Sequence, residues 1–173
     1  MIEKEKKKKK REKPDVNDCA AKKLAQKSMS RKELRDYLRK REYTDEEIER
    51  ALDMLAEFGY LDDAVFAGEF LICDLGRGRS KKKAFYDLKR KGVSQEDIDK
   101  GYERYVEENG EPDEHASALS EAKKVLAAAE LDPSERIPEK IKGRIARRLF
   151  TRGFSQSLIY EVLGELNGGG DFD

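Results

Sequence analysis

An eleven-residue segment occurs three times in this chain, and it restricts the possible folds more than any other feature. Leu38-Arg39-Lys40-Arg41-Glu42-Tyr43-Thr44-Asp45-Glu46-Glu47-Ile48 lies over Leu88-Lys89-Arg90-Lys91-Gly92-Val93-Ser94-Gln95-Glu96-Asp97-Ile98 without a gap, and over Leu149 to Ile159 as well. Each copy has the same physical grammar. A leucine ends the apolar stripe of one helix, basic residues favour its negative C-terminal end, and glycine or glutamate makes the turn. An apolar residue follows (Tyr43, Val93 or Phe154), then a helix N-cap (Thr44, Ser94 or Ser155), then isoleucine at the fourth helical position. That spacing is a hydrophobic staple, which fixes the angle at which the chain enters the next helix. Glu47 and Asp97 are placed to complete a capping box; Leu158 in the third copy is not.

Gap-free recurrence of these classes reads as duplication. Apolar residues return at three and four positions, as in Ile48, Ala51, Leu52, Leu55 and Phe58, so the repeated unit is helical. Adding a preceding helix at Asp18 to Lys27, Asp62 to Leu75 and His115 to Ala129 gives three helices per copy. The expected fold is all-α: an elongated array of three tandem three-helix, helix-turn-helix-like repeats. The expected boundaries are a basic disordered tail over 1–14, repeats over 15–61, 62–110 and 111–167, and a disordered tail over 168–173. The third repeat carries the longest internal loop, around Asp132-Pro133 and Ile137-Pro138, with its second helix starting near Pro138.

Composition agrees with thin cores between helices, since 43% of the 173 residues are charged and 37% hydrophobic. No apolar run approaches the roughly 18 residues that a membrane helix needs, and the lysine-packed start lacks the apolar stretch of a secretory signal, so a cytoplasmic protein is expected. Cys19 and Cys73 form no metal or disulfide pattern and read as small buried hydrophobes. The single histidine, His115, reads as a solvated helix start beside Glu114. With no paired-carboxylate, metal-ligand or nucleotide motif, neither an enzyme nor a cofactor is expected.

The formal net charge of zero conceals a segregation of sign that follows the repeat. Second helices are basic: Arg31, Lys32, Arg35, Arg39, Lys40 and Arg41; then Lys81, Lys82, Lys83, Lys89, Arg90 and Lys91; then Lys140, Lys142, Arg144, Arg147, Arg148 and Arg152. Third helices are acidic, as in Asp45, Glu46, Glu47, Glu49 and Asp53. Solvation and the preference of carboxylates for helix N-termini cover much of the acidic series. They do not explain why the same helix of every unit is basic, a pattern suited to a polyanion or an acidic protein groove. Between two helices of the middle copy, Gly76-Arg77-Gly78-Arg79-Ser80 reads as a helix-breaking linker with Ser80 as the next N-cap, or as a flexible arginine-glycine element able to track phosphates.

Ser30-Arg31-Lys32-Glu33-Leu34, Leu38-Arg39-Lys40-Arg41, Phe58-Gly59-Tyr60-Leu61-Asp62-Asp63 and Phe66-Ala67 together resemble the characteristic run of the RecX family. Lys91-Gly92-Val93 and Arg152-Gly153-Phe154 are similar to that family's later basic-glycine-apolar turns, and the likeness runs from about Asp18 to Leu166. Val65, the segment Gly78-Arg79-Ser80-Lys81 and Glu42 depart from the usual pattern. The resemblance implies a non-enzymatic regulator of homologous recombination, DNA repair and the SOS response. Such a protein binds the RecA filament on single-stranded DNA, inhibiting its growth and its ATPase, strand-exchange and coprotease activities. The implied partners are the RecA filament and single-stranded DNA, with duplex DNA a further one, and the chain is expected to act as a monomer. Binding is expected to rest on Lys81, Lys82, Lys83, Lys89 and Arg90, on Arg144, Arg147 and Arg148, and on Arg35, Arg39, Arg77 and Arg79. These face either DNA phosphates or acidic RecA surface. The competing reading from the same residues is a general DNA-binding helical repeat that acts without RecA; a third is a scaffold whose basic stripe only confers solubility.

Overall fold

The computed structural model describes residues 13–129 and 136–167. Residues 1–12 of the expected tail over 1–14, the expected tail over 168–173 and the Asp132-Pro133 loop lie outside these residues. Among the described residues the regular structure is wholly helical, and it falls into two compact units divided between Leu61 and Asp62.

The first unit holds α1 (Val16–Gln26), α2 (Arg31–Arg39) and α3 (Asp45–Glu57). Leucines four apart give α2 one apolar edge, Leu34 and Leu38, and both are fully buried. They meet Ile48, Leu52 and Leu55 from α3 and Cys19 and Ala20 from α1. Burying each leucine contributes about 1.5–3 kcal/mol, which helices this short need in order to persist. Ser30 and Thr44 cap α2 and α3, and Glu33 and Glu47 complete both capping boxes. Tyr43 packs in the same core as Ile48, closing the first staple, and its hydroxyl donates to the Pro14 carbonyl at 2.7 Å.

The second unit holds α4 (Asp63–Gly76), α5 (Lys81–Arg90), α6 (Gln95–Asn109), α7 (Glu114–Ala127), α8 (Glu139–Thr151) and α9 (Gln156–Asn167). It has two cores. Phe66, Ala67, Leu71 and Leu75 of α4 meet Ala84, Leu88, Val93 and Ile98, so the second staple closes inside its own triplet. Ala118, Ala122 and Val125 of α7 meet Ile141, Ile145, Leu149, Phe154, Ile159 and Val162, which closes the third. The helices α4 and α6 cross at backbone distance. A Cβ on Gly101 would stand 2.8 Å from both the Ala64 carbonyl oxygen and the Gly68 nitrogen.

Several local expectations shift. The first helix of each triplet begins one or two residues from where periodicity places it, because Asp15, Asp62 and Asp113 are the caps. Asp97 does not complete a capping box: it accepts from the Ser94 hydroxyl at 2.6 Å instead of from the backbone. Cys19 is buried as expected, but Cys73 is exposed, because it lies on the side of α4 away from Leu71 and Leu75. His115 is not simply solvated; its Nε2 lies 3.1 Å from Glu165 and 3.8 Å from Glu161, which stand one turn apart on α9.

The turn before each staple needs a left-handed residue. Gly92 and Gly153 supply it at φ 84° and 89°, but the first copy places Glu42 there at φ 64°. A side chain in that region costs roughly 1–2 kcal/mol. Glu42→Gly is therefore expected to raise stability by about 1 kcal/mol in urea unfolding, and an unchanged or lowered midpoint would contradict the strain.

Candidate functional site

The acidic third helix of the first triplet lies against its basic second helix. Arg35 makes a two-pronged pair with Glu49, at 2.6 and 3.0 Å, Arg31 reaches Glu49 and Asp53, and Arg39 meets Asp45 at 2.8 Å. Hydrogen bonding from Arg35, against the cost of burial and with help from Arg31, holds the Glu49 carboxyl down at about 2. Sign segregation in this triplet thus produces cross-helix ion pairs, and Arg35 and Arg39 are engaged within the fold.

In the middle triplet the expected residues divide by side of α5. Lys83 pairs with Asp87 at 3.0 Å, and Arg79 reaches the same carboxylate at 3.1 Å and Asp74 at 3.4 Å; Arg90 lies 3.9 Å from Asp87. Lys81 lies over the Tyr102 ring, 3.6 Å from its centroid. Lys82 and Lys89 sit on the opposite face to the core and form no ion pair among the described residues; Arg77 is likewise exposed. Tyr86 stands between the two lysines, 57% exposed.

The third triplet divides the same way. Arg148 turns inward to Glu121, at 2.6 Å, while Arg144 and Arg147 are exposed without an ion pair among the described residues, next to Phe150, which is 74% exposed. The exposed aromatics Tyr86 and Phe150 are absent from the sequence-derived set. Their signal was available: each lies off the apolar stripe of its own helix and within one turn of basic residues.

The arginine-glycine segment is a pinned turn and not a flexible element. Ser80 caps α5, and because Lys83 stands where a capping-box glutamate would, the Ser80 N–H goes instead to the Arg152 carbonyl of the third triplet at 3.0 Å. The Lys81 N–H donates to Glu114 at 2.7 Å. Arg152 in turn donates through Nη1 to the Arg77 and Gly78 carbonyls and through Nε to Glu121 at 2.8 Å. Gly153 is needed twice, for its φ and because a Cβ there would stand 2.5 Å from the Lys83 Cβ.

Glu121 is the centre of this junction. Its side chain is 1% exposed and takes Lys124, Arg148 and Arg152 together; a Cβ on Gly78 would stand 2.8 Å from its carboxylate. Burial works against ionisation, but hydrogen bonds from Lys124 and Arg148 and the charge of Arg152 outweigh it and hold the carboxyl below its usual value.

In the first unit, Ala21, Leu24 and Ala25 of α1 and Met54, Leu55, Phe58 and Tyr60 line an apolar groove of about 600 Å³. No helix among the described residues is long and apolar enough to cross a membrane.

The family described as RecX, first three-helix domain, matches residues 18–55. The regulatory protein RecX of Thermobifida fusca (strain YX) is 33% identical over 135 residues, covering 78% of this chain and 71% of that protein. That of Clostridium botulinum (strain Eklund 17B / Type B) is 30% identical over 148 residues, covering 86% and 66%. That of Mycolicibacterium smegmatis (strain ATCC 700084 / mc(2)155) is 31% identical over 148 residues, covering 81% and 73%. The crystal structure of RecX from Lactobacillus salivarius superposes with a TM-score of 0.64 at 19% identity, over 87% of this chain and 94% of that one, a likeness of fold.

A carboxyl whose value is lowered by folding adds stability above its unfolded value, near 4.5, and loses it as pH falls through the folded value. Glu121→Gln leaves two arginines short of their counter-charge and is expected to cost about 3 kcal/mol at pH 7. In thermal melts the gap from the wild type is full above the ordinary carboxyl value near 4.5 and narrows as pH falls beneath it, through the lowered value of Glu121. A gap that is absent at pH 7, or constant with pH, would remove Glu121 from this role.

Proposed function

The chain belongs to the RecX family, and from that premise we propose that it regulates homologous recombination and DNA repair by binding the RecA filament on single-stranded DNA. Bound there, it inhibits filament growth and the ATPase, strand-exchange and coprotease activities. The observation that carries this reading is the 33% identity to a regulatory protein RecX over most of both chains. The relatives are named as regulators, which fits binding rather than bond chemistry. The three triplets, over 15–61, 62–110 and 111–167, act as binding modules of one cytoplasmic monomer.

The side-chain arrangement supports a narrower binding set. Cations tied to buried or half-buried carboxylates hold the fold; those facing solvent are free to meet phosphates or acidic protein surface. By that criterion Lys82, Lys89, Arg144 and Arg147, with Arg77, form the working set, and Arg35, Arg79, Lys83 and Arg148 act mainly inside the molecule, whereas the partner of Arg39, Asp45, is itself exposed. An exposed ion pair is worth little and reopens readily, so Arg39 retains a share in long-range attraction.

The same outward cations favour a second reading, a DNA-binding repeat protein that acts without RecA. Titration of the protein into ATP hydrolysis and strand exchange by the cognate RecA on single-stranded DNA separates the two. Inhibition well below one copy per RecA is expected. DNA binding with both activities of RecA unchanged would establish the second reading in its place.

A further inference from the structure

We propose that Tyr86 and Phe150 are stacking platforms for the bases of single-stranded DNA, set into the basic faces of α5 and α8; the inference rests on the reading of this protein as a ligand of DNA-bound filaments. An exposed aromatic on a helix needs no explanation when it stands alone. These two do not stand alone. Tyr86 lies four residues after Lys82 and three before Lys89, so at helical spacing the ring and both amines share one solvent face. The Lys83 amine and the Arg90 guanidinium stand 5.3 and 5.9 Å from the ring centroid, at the outer limit of cation–π attraction, and the ring still keeps 57% of its surface open. Phe150 lies three residues after Arg147 and is 74% exposed at the end of α8.

The fold joins the two positions. Gly153 packs directly against Lys83 and Ser80, so the end of α8 abuts the start of α5. Phe150 is one helical turn before that contact and Tyr86 one turn after it. Both lie within one compact unit, clasped by Arg152 and Glu121. Cations spaced along a path with aromatic rings between them match the chemistry of an unpaired strand, which offers phosphates and bare base faces together. Duplex DNA keeps its base faces stacked internally and offers phosphates and groove edges but no bare base face.

The lysines answer to charge and the rings to bare base faces, so the two contributions to DNA binding can be measured separately. Binding of the full chain to fluorescein-labelled oligo(dT), to an abasic oligomer of equal charge and to duplex DNA is followed by anisotropy over a range of salt. Tyr86→Ala and Phe150→Ala are each expected to weaken oligo(dT) binding roughly tenfold at every salt concentration, with an unchanged slope against log salt. Tyr86→Phe and Phe150→Tyr bind as the wild type does. Lys82→Gln with Lys89→Gln instead lowers the slope, by about 0.7 for each phosphate that is no longer neutralised. The chain contains no tryptophan, so Tyr86→Trp and Phe150→Trp each supply a single fluorophore that should be quenched by oligo(dT) and not by the abasic oligomer.

Equal affinity of the alanine variants and the wild type for oligo(dT), or equal affinity of the wild type for oligo(dT) and the abasic oligomer, overturns the stacking role. So does failure of the wild type to bind oligo(dT) at all. In each case inhibition of RecA by the wild type is measured separately, so the regulatory reading stands or falls by itself.

Discussion

Helices of nine to fifteen residues do not persist alone in water, so every triplet depends on the turn that sets its second helix against its third. That turn places an apolar residue just ahead of an N-cap and an isoleucine four positions into the helix. Tyr43 with Ile48, Val93 with Ile98 and Phe154 with Ile159 each end up in one core. The staple does two jobs. It buries the pair, and it fixes the angle between the helices so that Leu34 and Leu38, or their counterparts, meet a complementary face.

A second constraint follows once triplets are duplicated, because duplicated cores need not adhere to one another. Between the second and third triplets the solution is polar and specific: a carboxylate buried at Glu121, arginines from α8 and from the turn after it, and a glycine turn close enough to touch. Such a centre stabilises through geometry more than through net charge burial. It also removes cations from the surface. The basic second helices therefore contribute unequally to any outer ligand, in a way that residue counts do not convey.

The division between what could and could not be read from the chain follows from the range of the interactions. Caps and staples act within five residues, so Thr44, Ser80, Ser94 and Ser155 and the three apolar partners were legible from spacing. The sign of each helix was equally plain. Whether a given cation faces a carboxylate or solvent was not, since it depends on which helices become neighbours: Arg148 and Arg147 are adjacent in sequence, yet one reaches Glu121 and the other faces solvent. Cys73 departs from expectation for a related reason, because a cysteine's small size fits either side of α4. The arginine-glycine turn reads from sequence as a linker capped at Ser80, which it is, but a flexible element stayed open as an alternative because its other partners, Arg152 and Glu121, lie in the next triplet.

The proposed separation of structural from ligand-facing cations is tested most directly by association with a RecA filament assembled on single-stranded DNA. The protein in which Lys82, Lys89, Arg144 and Arg147 are all replaced by Glu is compared with the wild type, with the helical circular dichroism and melting temperature of both recorded. Loss of filament association with folding intact is the predicted result. Wild-type association by the fully folded variant would contradict it and would move the interface away from the outer faces of α5 and α8.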